Sequence, residues 1–299
     1  MRAVTLALGP LLQDAPDLLV VQGDTSSALG AALAAFTAAV PVAHVEAGLR
    51  THDPTLPWPE EEYRTAIDAN ADLLFAPTEL AAANLRAEKV PGEIHVTGNT
   101  SIDAVLETED RLPPSTATAS AMPRILVTCH RRESWRDGLS SIATAVAELS
   151  GEGIADFALV LPPNAFVAET MRQLLADAQG VELLEPCGHE EMVRRMRDAD
   201  LVLSDSGGIQ EEAPALGVPL LVLRSKTERP EAIAAGSALL VGTDKERIIA
   251  EVRRLLGNPG ARASMSRRAF PFGDGHAAER IAAITARWLD RLSSTHRFG

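Results

Sequence analysis

Aromatic side chains are scarce: one Tyr, three Trp and seven Phe make up 4% of the residues. That is too few for the stacked platforms on which single-stranded nucleic acids bind. Basic residues are outnumbered, with 28 Lys and Arg against 41 Asp and Glu, a formal net charge of −13. Such a field argues against a polyanionic partner, although local arginines and helix termini can still hold a small anion. The two cysteines, Cys129 and Cys187, make neither a disulfide framework nor a zinc site, and their usage fits a reducing cytoplasm. No long apolar run is present. The nearest, the Ala-rich stretch at 28–40, contains Thr37, stops at Pro41, and is too short and small-residued to span a bilayer. Met1 is followed by a short helical pattern that meets Pro10, without a leader's cleavage site. There is no G-x-S-x-G, Walker or G-x-G-x-x-G motif, and His95 and His189 lack metal-ligand spacing with Cys187, so neither metal nor cofactor is expected.

What is there is ordinary globular material, 46% hydrophobic and 23% charged over 299 residues, enough for one large or two medium domains. Apolar runs lie at 18–22, 42–45, 73–75, 94–96, 125–128, 157–161, 181–184, 201–203, 220–223 and 239–241. Helices are predicted between them, near 26–39, 60–70, 79–88, 101–108, 138–149, 167–178, 189–197, 208–216, 230–235 and 245–256. Strands that are apolar at every position are parallel and covered on both faces, and their alternation with helices predicts a doubly wound α/β fold. Only 112–120, rich in Pro, Ser, Thr and Ala, breaks the rhythm. It reads as a linker between domains at 1–112 and 123–275, with a long amphipathic helix in the tail segment 276–299.

The turn Leu203-Ser204-Asp205-Ser206-Gly207-Gly208-Ile209-Gln210-Glu211-Glu212 is the most informative stretch. Its glycines let a backbone approach a phosphate, and the unpaired N–H groups of the following helix point at it. Glu212, one turn on, suits two vicinal hydroxyls such as those of a ribose. A plain helix start capped by Ser206 also fits. Ligands of open α/β sheets bind at the carboxyl ends of strands, where Asp24, Glu46 and Glu60 fall. Clustered carboxylates raise one another's pKa and so divide into acid and base. Each has a plainer role as well: Asp24 as N-cap of the helix at Ser26, Glu46 paired with Arg50, Glu60 complementing a helix dipole. His130, flanked by Arg131 and Arg132, marks a positive spot suited to an anion, or is a satisfied histidine near the linker. Arg229 suits a diphosphate or a surface ion pair.

In their order and spacing, nine segments resemble one family, the non-hydrolysing UDP-N-acetylglucosamine 2-epimerases. They are Gly23-Asp24-Thr25, His44 to Arg50, Pro57-Trp58-Pro59-Glu60-Glu61, Phe75-Ala76-Pro77-Thr78-Glu79 and Val96-Thr97-Gly98-Asn99-Thr100, then His130-Arg131-Arg132-Glu133, Asp205 to Pro214, Thr227 to Glu231 and Val241-Gly242-Thr243-Asp244. The resemblance implies a GT-B-like architecture of two Rossmann-type domains facing across a cleft, with the last helix crossing back to the first. It implies reversible inversion at the sugar C2, interconverting UDP-N-acetylglucosamine and UDP-N-acetylmannosamine through loss and re-addition of UDP by way of 2-acetamidoglucal. It implies a cytoplasmic homodimer that takes a UDP-sugar and has no nucleic-acid or membrane partner. By matched position, Asp24, Glu46, Glu60 and His130 are the expected catalytic residues. Arg64, Arg131, Ser206, Gly207, Gly208, Glu212 and Arg229 are the expected substrate-binding residues.

The chain departs from the family pattern at Cys129 (a glycine there), Pro162 (a histidine), Cys187 (usually glutamine) and Met192 (an aromatic). The family also opens on a strand and a Gly-Thr-Arg-Pro-Glu loop with no counterpart in this sequence, so by the resemblance about two of the family's βα units are expected to be missing before Met1. Two alternatives stand beside the epimerase: a hydrolysing variant that releases N-acetylmannosamine and UDP, and an inactive chain that still binds UDP.

Overall fold

Short strands that are buried along their whole length, such as Val42–Val45 and Leu73–Ala76, set the architecture. Such strands need helices on both faces. The computed structural model describes all residues except 15, 115–121, 132–134, 136 and 296–299. Its chain divides into two compact units, one of Met1–Asp103 with Phe272–Gly299, the other of Ala104–Pro271.

In unit 1 the strands β1 (Leu19–Gln22), β2 (Val42–Val45), β3 (Leu73–Ala76) and β4 (Glu93–Val96) form a parallel sheet in that order. Its helices are α1 (Arg2–Leu12), α2 (Ser26–Thr37), α3 (Glu60–Asp68), α4 (Glu79–Glu88) and the first turn of α5 (Thr100–Arg111). Small residues at Ala28, Ala32 and Ala35 bring α2 close to one sheet face, where Val42, Leu74 and Ala76 also point. The other face is covered by α13 (Ala277–Thr295), whose Trp288, Ile281 and Ile284 pack on Ala43, Val45, Leu73 and Phe75. Asp103 caps α13, accepting from the N–H groups of Ala277 at 3.0 Å and Ala278 at 2.7 Å. That satisfies two donors a helix start leaves open.

Unit 2 holds β5 (Arg124–Thr128), β6 (Asp156–Val160), β7 (Val181–Leu184), β8 (Leu201–Ser204), β9 (Leu220–Val222) and β10 (Ala238–Leu240). Its helices, besides the rest of α5, are α6 (Asp137–Gly151), α7 (Ala165–Leu174), α8 (His189–Arg197), α9 (Gly207–Leu216), α10 (Pro230–Ala234), α11 (Lys245–Gly257) and α12 (Pro259–Met265). The parallel sheet runs β10-β9-β8-β5-β6-β7. Read in chain order from the other edge, this is the 3-2-1-4-5-6 winding of dinucleotide-binding sheets. The winding reverses between β5 and β8, and the loops leaving those strands diverge to opposite sides, opening a crevice.

The division between the units falls within α5, between Asp103 and Ala104, and residues 115–120 of the expected linker lie outside the described residues. The tail helix groups with unit 1. Helix α12 falls where no helix was expected: Asn258 caps it, accepting from Ala261 N–H at 3.0 Å, and Pro259 occupies the first turn. Among the described residues no helix is long and apolar enough to cross a membrane.

Candidate active site

Two of the expected carboxylates, Asp24 and Glu46, follow strand ends of unit 1, and the third, Glu60, opens α3. Gly23, at φ +69°, turns the chain out of β1 and presents Asp24. The helix that follows is capped by Thr25, whose hydroxyl accepts from Ala28 N–H at 3.1 Å, so the capping role considered for Asp24 belongs to its neighbour. Asp24 instead pairs with Arg64, a side chain that is 1% exposed and held at its other amine by Glu61 at 3.3 Å. Glu46 leaves β2 in the left-handed region, at φ +71°, a conformation that costs about 1–3 kcal/mol in a non-glycine residue and clusters at functional sites. Its Oε2 lies 3.5 Å from where a Cβ on Gly23 would stand, beside the Asp24 turn. The pairing of Glu46 with Arg50 is overturned: Arg50 bonds Glu88 at 2.8 and 2.7 Å and Asp68 at 2.7 Å. Glu60 opens α3, four residues before Arg64 and so on the same face of the helix. The adjacent Glu61 is structural, accepting from the N–H groups of Thr51 at 2.9 Å and His52 at 3.0 Å.

In unit 2 the other predicted residues converge on the winding reversal. Buried Asp205 accepts from the backbone N–H groups of His130 and Arg131 at 2.9 and 2.8 Å, tying the chain after β5 to the chain after β8. The imidazole of His130 stands 3.3 Å from the same carboxylate and is 44% exposed. Ser206 occupies the N-cap position of α9, but its hydroxyl makes no capping bond. At Gly207 an added Cβ would come 2.8 Å from Arg229 Nη1 and 3.3 Å from Arg131 Nη2, so two guanidinium groups overhang the helix start. Arg229 is buried, donates to Glu211 at 2.6 Å and pairs with Glu228, which Arg224 also holds at 2.9 Å. The surface ion pair considered for Arg229 is therefore replaced by a buried network. Gln210 ties Thr227 to α9, accepting its hydroxyl at 2.5 Å and donating to the Ser206 carbonyl at 3.1 Å. Of the Gln-Glu-Glu run, Gln210 and Glu211 thus lock α9 in place. Glu212 faces His189 at 3.6 Å. The hydrogen bond to Glu212 lifts the pKa of His189 above the ordinary imidazole value, against a smaller opposing effect of partial burial.

Beside this helix start lies a cavity of about 150 Å³ lined by Thr128, Cys129, His130, Pro162, Cys187 and Met192, among others. All four departures from the family pattern line it. A larger hollow of about 590 Å³, at Arg124, Asp156 and Gly180, lies at the opposite, amino ends of β5 to β7, away from where such sheets bind ligands. Burial and the charge of Asp205 push the Cys129 thiol far above its usual pKa, so it is inert packing rather than a nucleophile.

Several of these groups carry little signal in the sequence. Asp205 was visible only as part of a motif, Asp68 not at all, and His189 only as a residue without metal spacing. Their roles depend on partners far away in the chain. Arg132 and Glu133 lie outside the described residues.

Two parallel-sheet α/β units, the second with the 3-2-1-4-5-6 winding of dinucleotide-binding sheets, place the chain in the GT-B-like class of α/β proteins. Among solved structures, a Neisseria meningitidis UDP-GlcNAc 2-epimerase bound to UDP-GlcNAc matches at TM-score 0.92 and 37% identity, over 96% of this chain and 81% of that one. A Methanocaldococcus jannaschii UDP-GlcNAc 2-epimerase in complex with UDP-GlcNAc and UDP matches at TM-score 0.84 and 33% identity, over 96% and 80%. A Salmonella typhimurium UDP-N-acetylglucosamine 2-epimerase is 45% identical over 289 residues, 92% of this chain and 77% of the relative. The family model for UDP-N-acetylglucosamine 2-epimerase matches residues 2–286. This chain belongs to that family, a family of isomerases.

Proposed function

We propose that this chain epimerises UDP-N-acetylglucosamine at C2, reversibly, to UDP-N-acetylmannosamine. The observation that carries the reading is the overhang of Arg229 and Arg131 on Gly207 at the start of α9. The difficult event is cleavage of the sugar C1–O bond, in which the departing β-phosphate oxygen takes the electron pair. Helix N–H groups and guanidinium cations placed before the event stabilise that charge without reorganisation. Ser206, Gly207 and Gly208 hold the diphosphate, Arg229 and Arg131 offset its charge, and Glu212 accepts from the two ribose hydroxyls. The cavity at Met192, Pro162 and Cys187 takes the base.

The acids of unit 1 do the proton chemistry. One of Asp24, Glu46 and Glu60 removes the C2 proton as UDP leaves, which gives the C1=C2 alkene of 2-acetamidoglucal. Another returns a proton to the opposite face of C2 while the UDP oxygen attacks C1 again. Arg64 orients Asp24 for this role, and His130, at the diphosphate, assists departure. The same reading makes the enzyme a cytoplasmic homodimer, which sedimentation at several protein concentrations tests.

Turnover in deuterated water followed by NMR tests the reaction. The expected products carry deuterium at C2 with UDP still attached. Free N-acetylmannosamine and UDP would instead show that water captures the intermediate.

A further inference from the structure

One buried group takes no part in the chemistry above. His44, on β2, is 0% exposed, and both ring nitrogens face acceptors. Nε2 lies 3.0 Å from the Gly23 carbonyl and Nδ1 lies 2.6 Å from Asp68 Oδ1. A carbonyl only accepts, so Nε2 carries a hydrogen. Asp68 accepts from Gly48 N–H at 3.1 Å and pairs with Arg50 at 2.7 Å, so it is a carboxylate and Nδ1 carries a hydrogen as well. Burial alone would strip the ring of its charge. Asp68's charge and hydrogen bond, the Gly23 carbonyl and the charge of Glu46 outweigh it and raise the His44 pKa, while Asp68 is held low.

We propose that His44 is a positioning residue for the acid cluster: a buried imidazolium that pins the Gly23 turn presenting Asp24 and lends positive charge beneath Glu46. The proposal rests on the reading of Asp24 and Glu46 as the acids that move the C2 proton. Two observations make His44 more than a packed core residue. Its Nε2 bond fixes the carbonyl immediately before Asp24. Asp68, its partner on α3, also fixes Gly48, two residues after Glu46. The loop carrying Glu46 is therefore held from both sides of a left-handed residue that would otherwise relax. The charges that face the ring are Asp68 from α3 and Glu46 from its own strand end. Arg50 stands behind Asp68 and is itself balanced by Glu88 of α4.

Asp68→Asn separates charge from shape. The amide still offers an oxygen to Gly48 and Arg50, and its NH2 donates to a neutral His44 that keeps its Nε2–H on Gly23. The test follows the histidine ring nitrogens of the full chain by 15N NMR from about pH 6 to about pH 9, with His44 assigned through its loss in His44→Gln. In the native chain both His44 nitrogens are expected to stay protonated at neutral pH; a neutral ring there overturns the proposal. In Asp68→Asn, kcat for epimerisation is expected to fall about 10- to 100-fold with KM and UDP affinity unchanged, the size usual for lost supporting groups. The acid limb of the kcat profile moves to higher pH, because Glu46 has lost a neighbouring cation. A folded Asp68→Asn chain with native kcat and pH profile overturns the proposal. If that variant does not fold, the NMR titration of the native chain decides. Asp24→Asn serves as the control. Exchange that survives there sinks the acid reading itself, and this proposal with it. Exchange lost in Asp24→Asn but native in Asp68→Asn sinks this proposal alone.

Discussion

Substituting Gly207 by alanine perturbs the cradle with a single methyl group. The added Cβ would stand 2.8 Å from Arg229 Nη1, 3.1 Å from its Cζ and 3.3 Å from Arg131 Nη2. Arg229 cannot swing aside freely, because Glu211 holds its Nε at 2.6 Å and Glu228 its Nη1, all of them buried. Overpacking of this kind costs about 1–3 kcal/mol, and the helix preference of Ala over Gly returns up to about 1 kcal/mol. The net loss of stability is about 0–3 kcal/mol, or at most several degrees in Tm. Displacing one guanidinium from the phosphate removes a charge-assisted hydrogen bond of about 1.5–3 kcal/mol, so UDP affinity should drop roughly 10- to 100-fold. Gly208→Ala is the internal contrast, since its Cβ would meet nothing nearer than Glu212 Oε1 at 3.8 Å, an ordinary contact. It should leave the melting temperature of the ligand-free protein unchanged or slightly raised, and weaken UDP only through the space the diphosphate occupies. Calorimetric titration with UDP and thermal melts of both variants make the comparison. Native UDP affinity in Gly207→Ala would refute the assignment of the diphosphate to this helix start.

Further outcomes are expected from the same geometry. Glu212→Ala removes an acceptor for two ribose hydroxyls and should weaken UDP about 10- to 100-fold by calorimetry, while a 2′,3′-dideoxy analogue should bind native and variant alike. With a thiol-reactive dye, Cys187 should label in the folded protein and slow when UDP is added, because it lines the base cavity. Cys129, 1% exposed and with its thiol kept protonated, should label only after unfolding. Asp274 receives paired hydrogen bonds from Arg280 at 2.7 Å, and this holds its carboxyl at about 2. A depressed carboxyl contributes its stabilisation in full above the unfolded pKa of about 3.9 and loses it as pH falls through the folded value. Carboxyl NMR should therefore place the Asp274 midpoint near 2 and return it to about 3.9 in Arg280→Ala.

The α/β alternation was legible because the inner strands, such as β2, β3 and β8, are buried along their whole length and the edge strands β1, β4 and β7 still carry short apolar runs, so that all ten appear where the runs predict. The order of the strands was not: nothing in a linear sequence says that β8 lies beside β5, and that adjacency creates the site. Local rules failed where two neighbours competed for one task. Asp24 and Thr25 both suit an N-cap, and Thr25 took it. Glu60 and Glu61 are both first-turn acids, and burial beside Arg64 made Glu61 structural. Arg50 has Glu46 nearby in sequence, yet Asp68 and Glu88 reach it through the fold. Long-range pairing of this kind leaves no periodic trace, so Asp68, Asp205 and His189 emerge only with the structure.

The central claim is a division of labour, in which unit 2 holds the nucleotide and unit 1 moves the proton. The most direct measurement is C2 deuterium incorporation by Asp24→Asn in deuterated water, run beside calorimetric titration of the same variant with UDP. The account predicts loss of incorporation with native UDP affinity, whereas incorporation at the native rate would contradict it.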